Sequence, residues 1–236
     1  MSEGMGKTLS IETGIRCNNR CSFCYQKEWR CREASLPDPS TDELMAKLEW
    51  GIGNGYESVG FSGGEPTLRQ DFLELVRRAR ELGYARVSLT TNGRRLSNPA
   101  YARELLEAGV SGIGWSLHGP SEEVHDLLVG RQGAFKQSVR GIRNVARLVS
   151  EMGLRVDQNV FFLMNRHNHQ HLASTCLFGR RLGIKLFIVQ PIIFSKGNLS
   201  TAAGLQVPLT AVVRSVRKAA TLGARGEWFI KLFNLP

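Results

Sequence analysis

At 236 residues the chain is long enough for one sizeable core, and α/β barrels reach this length as a single domain. With 42% hydrophobic and 22% charged residues it has the composition of a globular protein; no apolar run nears the ~18 residues of a bilayer span, and the start lacks a secretory h-region, so a cytoplasmic location is expected. The 31 Lys and Arg against 21 Asp and Glu leave +10, but the basic residues are spread over predicted helices (Arg77, Arg78, Arg80; Arg140, Arg143, Arg147; Arg214, Arg217, Lys218), which favours solvated helix faces over a nucleic-acid footprint.

Short β-branched or apolar runs alternate with amphipathic stretches along the chain. Strands are predicted over 9–13, 58–62, 86–91, 112–116, 155–162 and 185–190, and helices over 42–54, 71–82, 100–108, 134–152, 169–182 and 209–222. Phe72, Leu75, Val76, Ala79 and Leu82 mark one helical face, and Gly83, Gly109, Gly153 and Gly183 stand where left-handed residues stop helices. Six strand–helix units in this order imply parallel strands with right-handed crossovers, hence a partial (β/α)6 TIM-like barrel with its site at the C-terminal strand ends. Residues 228–233 read as the start of a further strand, after which either the barrel ends or a C-terminal part lies beyond Pro236. With no linker in view, residues 1–236 are expected to form a single domain.

Four of the five cysteines crowd into residues 17–31, a pattern for metal rather than for a disulfide framework. Cys17, Cys21 and Cys24 are spaced C-x3-C-x2-C directly after the first strand. Three thiolates on one loop can hold three corners of an iron–sulfur cubane and leave the fourth iron open. Structural zinc, with Cys31 or a histidine as fourth ligand, and a closed cluster capped by Cys31 are the competing readings; zinc modules more often pair two separated C-x2-C units. Cys31 reads as a free thiol and Cys176 as core packing.

The loop resembles the signature of the radical SAM superfamily, C-x3-C-x-Φ-C, with Phe23 at the aromatic place. Gly63-Gly64-Glu65-Pro66, at the end of the second strand, resembles the family's turn that contacts the amino group of the SAM methionine; two glycines suit a close backbone approach. Thr90-Thr91-Asn92-Gly93 and Ser116-Leu117-His118-Gly119 close the next two strands, and the stretch from His125-Asp126 to Phe135 is similar to the peptide-modifying and heme- or molybdenum-cofactor branches. By that resemblance Ser116 and Asn92 would face the SAM ribose or carboxylate, with Gln158 or Asn159 nearby and Arg131 as a further candidate. Those branches often carry a second, cysteine-rich cluster domain, yet no cysteine follows Cys176 and the Gly-Arg-Gly tail of the molybdenum-cofactor GTP cyclase is absent, which disfavours that identity.

The resemblance implies an enzyme with a [4Fe–4S] cluster and S-adenosylmethionine, fed by flavodoxin or ferredoxin, that makes a 5′-deoxyadenosyl radical for hydrogen abstraction from a peptide or small metabolite. An RNA-modifying member of the family and a non-catalytic iron–sulfur or zinc protein are the alternatives. Arg69, Arg94, Arg95, Arg131, His118 and Lys196 fall on strand-end loops where they could line a pocket for an anionic group, His118 foremost as a substrate contact. His167, His169 and His171 look metal-like but diverge on a helix, so they read as surface.

Overall fold

The computed structural model describes residues 6–27, 37–196, 198–226 and 228–233. Among the described residues seven strands, β1 (Thr8–Glu12), β2 (Ser58–Ser62), β3 (Arg86–Thr91), β4 (Gly112–Ser116), β5 (Asp157–Met164), β6 (Leu186–Pro191) and β7 (Phe229–Leu232), form one sheet in sequence order. Every pairing is parallel. The crossovers are α1 (Thr41–Gly53), α2 (Phe72–Glu81), α3 (Pro99–Glu107), α4 (Glu122–Val129) with α5 (Ala134–Glu151), α6 (Leu172–Arg181), and α7 (Leu199–Ala202) with α8 (Leu209–Gly226). This is the expected α/β partial barrel: six strand–helix units, then a seventh strand.

Side chains alternate across each strand. One face carries Val59, Phe61, Val87, Leu89, Trp115, Val160 and Phe187, all buried in the core beneath the helices. The other face is small and polar from β1 to β4, with Ser10, Gly60, Ser62, Ser88, Thr90 and Ser116 in register. Buried parallel sheets are usually apolar on both faces; this one surrounds a polar space. A single cleft of about 560 Å³ touches residues of β1 through β6, which a flat sheet could not bring around one cavity.

Local chemistry explains the element ends. Ser40 caps α1 by accepting from the Glu43 backbone N–H at 3.2 Å, and the Glu43 carboxylate accepts from the Ser40 N–H at 2.7 Å. Asn98 caps α3, with Pro99 in its first turn. The 155–162 strand is observed two residues later, because Leu163 and Met164 still pair with Gln190 and Pro191 of β6. The 169–182 helix divides into a 3-10 turn, His169–His171, and α6. Helix α4 is absent from the sequence reading. Its eight residues stop at Gly130 with φ of 61°, and its Asp126 carboxylate accepts from the Gly133 and Phe135 N–H groups, capping α5.

Candidate active site at the C-terminal strand ends

The cysteine loop leaves β1 and is pinned from several sides. Its Arg20 and Ser22 N–H groups donate to the Val129 and Leu128 carbonyls at the end of α4, at 2.8 and 3.0 Å. Phe23 packs in a small second core with Leu128, Ile192, Ala202 and Leu205. Buried Asn198, after β6, donates from Nδ2 to the Phe23 carbonyl at 3.2 Å, and Ser195 Oγ donates to the Tyr25 carbonyl at 2.7 Å. Segments some 170 residues apart thus hold the loop over the mouth of the sheet. Cys17, Cys21 and Cys24 are half-buried there, unlinked by disulfides, and all three line the cleft.

The turn after β2 faces them. The Gly64 and Glu65 N–H groups donate to the Gly14 and Arg16 carbonyls at 2.7 and 2.8 Å. A Cβ at Gly64 would collide with the Arg16 carbonyl oxygen, and Gly63, at φ of 121°, would set one 2.6 Å from the Gly14 oxygen. The close approach these glycines allow is therefore, first, to the start of the cysteine loop. Glu65 turns inward: Oε1 accepts from Thr67 N–H, Thr67 Oγ1 and Thr91 Oγ1, and Oε2 from Asn92 N–H at 2.7 Å. Burial raises this carboxyl above the ordinary range, and the four donors offset that only in part. Glu65 joins the ends of β2 and β3; its side chain is spent on the protein itself.

His118 lines the cleft beyond β4. Its Nδ1 accepts from the Leu163 N–H at 3.3 Å, and its own N–H donates to His125 Nδ1 at 3.2 Å. The imidazoles stack 5.9 Å apart, and the Phe23 ring meets His118 edge-on at 4.8 Å. Burial first, and then His125, pulls His118 down to about 3; burial first, and then the Arg94 charge, pulls His125 down to about 4, so both are neutral near pH 7.

Of the other residues expected at the site, Phe23, Gly63, Gly64, Glu65, Asn92 and Ser116 line the cleft. Pro66, buried, opens the 3-10 turn behind it. Asn159 lies on the lining face one step below Phe161, its Nδ2 buried without a hydrogen-bond partner among the described residues. Gln158 points to the opposite face and accepts from Trp115 Nε1 at 3.0 Å. Arg131 and Lys196 are exposed and Arg69, Arg94 and Arg95 partly buried, and all five lie outside the cleft lining. Arg69 grips Asp71 with two bonds and the Thr13 and Pro39 carbonyls; Arg95 lies over Tyr101 and reaches the Thr67 carbonyl; Arg94 bonds the cysteine loop. Burial and the nearby Arg131 lower the Arg94 guanidinium from its usual value. His167 is exposed, and His169 pairs with Ser215 at 3.2 Å. Cys176 is fully buried, with its thiol pushed up to about 12 by burial; Cys31 lies outside the described residues.

A sequence model described as the Radical SAM superfamily matches residues 11–175, well over half of the chain. The chain belongs to the radical SAM superfamily. Its similarity to a Saccharolobus islandicus protein named "Probable GTP 3′,8-cyclase" is 33% identity over 168 residues, 71% of this chain but 51% of that one. The chain spans about half the length of the curated relatives it matches. Among solved structures, Streptococcus suis SuiB bound to S-adenosylmethionine superposes with a TM-score of 0.75 at 17% identity, covering 96% of this chain and 49% of that one. Native anSMEcpe with bound AdoMet gives 0.71 at 20% identity, covering 94% and 64%. The likeness to these structures is one of fold.

The cofactors of this superfamily are a [4Fe–4S] cluster and S-adenosylmethionine, and membership favours that use of the cysteine loop over a non-catalytic iron–sulfur or zinc site. The residues present fit such a cluster. Three thiols face one cleft, while the other ligand-type side chains of that wall are engaged: Glu65 by four donors, His118 by the Leu163 N–H, and Glu12 by Tyr25 Oη at 2.6 Å and Gln26 Nε2 at 3.3 Å. The sequence reading missed Glu12, Tyr25, Asn198 and the Asn18–Arg94 contact. Tyr25, directly after the third cysteine, carried a signal; the others are joined only by the fold.

Proposed function

We propose that Cys17, Cys21 and Cys24 hold the [4Fe–4S] cluster, leaving one iron for the amino and carboxylate groups of S-adenosylmethionine. The observation that carries this reading is the common cleft: three thiols face the Gly63–Gly64 turn, Asn92 and Ser116 across one cavity. When bound, the cluster and S-adenosylmethionine supply a 5′-deoxyadenosyl radical that takes a hydrogen atom from the substrate. The chain supplies position and exclusion. The Gly63–Gly64 turn, Asn92 and Ser116 would orient S-adenosylmethionine, with Phe23 closing the loop behind it. Neutral His118 offers Nε2 to the cleft as a donor, because its Nδ1 already accepts a backbone N–H.

The substrate is a small metabolite or a peptide, and the electron donor a flavodoxin or ferredoxin. The relatives' name supports a small metabolite, while SuiB, which shares the fold, has also been solved bound to the precursor peptide SuiA. Anaerobic reconstitution tests the site: about four irons per chain, an EPR spectrum changed by S-adenosylmethionine, and 5′-deoxyadenosine on reduction are expected. Cys17→Ala, Cys21→Ala and Cys24→Ala should each abolish these, whereas Cys31→Ala and Cys176→Ala should keep them. Loss of the cluster in Cys31→Ala would overturn the open-iron reading. RNA retained at moderate salt would move the substrate assignment to nucleic acid.

A further inference from the structure

Arg94 follows the Asn92-Gly93 turn of β3 and reaches across to the cysteine loop. Its Nη1 donates to the Asn18 carbonyl at 2.5 Å and to Asn19 Oδ1 at 2.9 Å, and its Nε to Gln137 Oε1 at 2.7 Å. All three hydrogen-bond acceptors are neutral, so dipoles hold this partly buried guanidinium in place, while the Arg131 guanidinium and the Asp126 and Glu65 carboxylates act on its charge from further off. Two N–H donors converge on the adjacent thiol. The Asn19 backbone N–H points to Cys17 Sγ at 3.4 Å, and Asn92 Nδ2, bonded to Asn18 Oδ1 at 2.7 Å, approaches the same sulfur at 3.9 Å. Arg94 and Cys17 also interact through space. Cys17 is thus the corner of the loop where a fixed cation and hydrogen-bond donors meet.

We propose that Arg94 is a positioning residue that sets the reduction potential of the cluster: it pins Asn18 and Asn19, and its charge favours the reduced state. This rests on the reading that Cys17, Cys21 and Cys24 hold the cluster. Three thiolates around a doubly positive core leave one net negative charge. One electron from a low-potential donor makes it two, and no bond is broken in that step. A nearby cation stabilises the doubly negative state more than the singly negative one, and N–H···S bonds act in the same sense. The +10 of the chain lies mostly on exposed helix faces, whereas Arg94 directs one charge at the site.

The test is an EPR-monitored dithionite titration of the anaerobically reconstituted chain. Arg94→Gln should lower the midpoint so that the ratio of reduced to oxidised cluster at a fixed potential falls about tenfold, or about 59 mV for one electron. Arg94→Lys should restore most of that loss. Gln137→Glu sets a carboxylate on Nε, away from the cysteine loop, and should lower the midpoint in the same direction with the loop untouched. Midpoints equal to wild type in both Arg94→Gln and Gln137→Glu overturn the inference. So does an unchanged Gln137→Glu midpoint beside an Arg94→Gln chain that loses its cluster, which would make Arg94 a structural clamp alone. A wild-type chain that assembles no cluster overturns the underlying reading together with this one, and is distinct from a cluster whose midpoint ignores Arg94.

Discussion

Between His118 and His125 the site stores a pH dependence that neither residue type announces alone. A lone histidine after a strand reads as a substrate contact; here two buried imidazoles stack, and each accepts from a different backbone N–H, that of Leu163 for His118 and that of His118 for His125. Both have folded-state values depressed from 6.5, to about 3 and about 4. Below about 6.5 the unfolded chain binds protons that the folded chain refuses, so stability is complete above that pH and falls as pH drops toward 4, by up to about 1.4 kcal/mol per pH unit for each histidine. His125→Asn keeps an acceptor for the His118 N–H but does not titrate. Urea midpoints measured from about pH 7.5 to about pH 5 should fall less steeply in the variant than in wild type; parallel slopes would refute the assignment.

The turn of residues 63–66 and the loop of residues 14–24 act as one unit. Their motifs were legible as two short strings, because the chemistry needs a particular residue at each place. What could not be read was that the two strings touch. Gly63 and Gly64 suggest room for a ligand, yet the atoms that a Cβ would meet belong to residues 13–16. Gly64→Ala must push the turn off the Arg16 carbonyl; a cost of about 2–4 kcal/mol is expected, with iron retention per chain falling well below wild type. Thermal unfolding and an iron assay check both, and full iron loading in Gly64→Ala would contradict the contact. Helix α4 was missed for a related reason: eight residues give a weak period, and its capping of α5 through Asp126 needs both helices in place.

Across the whole molecule, the apolar alternation that predicts strands also decides which way each one faces. Residues such as Val87, Leu89 and Trp115 turn outward to the helices, so Ser62, Thr90 and Ser116 are left facing the interior. The polar lumen is the complement of the core. Filling it should separate folding from binding: Ser116→Trp is expected to keep the far-UV spectrum and melting profile while weakening S-adenosylmethionine binding at least about tenfold, about 1.4 kcal/mol, by equilibrium dialysis. Undiminished binding would place the ligand elsewhere.

Order and type of the longer elements, the parallel sheet and the cysteine spacing were determined by the sequence alone, because each rests on local periodicity or on residues a few positions apart; the short helices α4 and α7 were not. The tertiary structure decided which strand-end groups are spent and which face the cleft. Arg69, Arg94, Arg95 and Glu65 look available as letters, but partners between 2 and 76 positions away have engaged them. A buried polar group must be paired, and its partner is chosen by the packing of the whole chain.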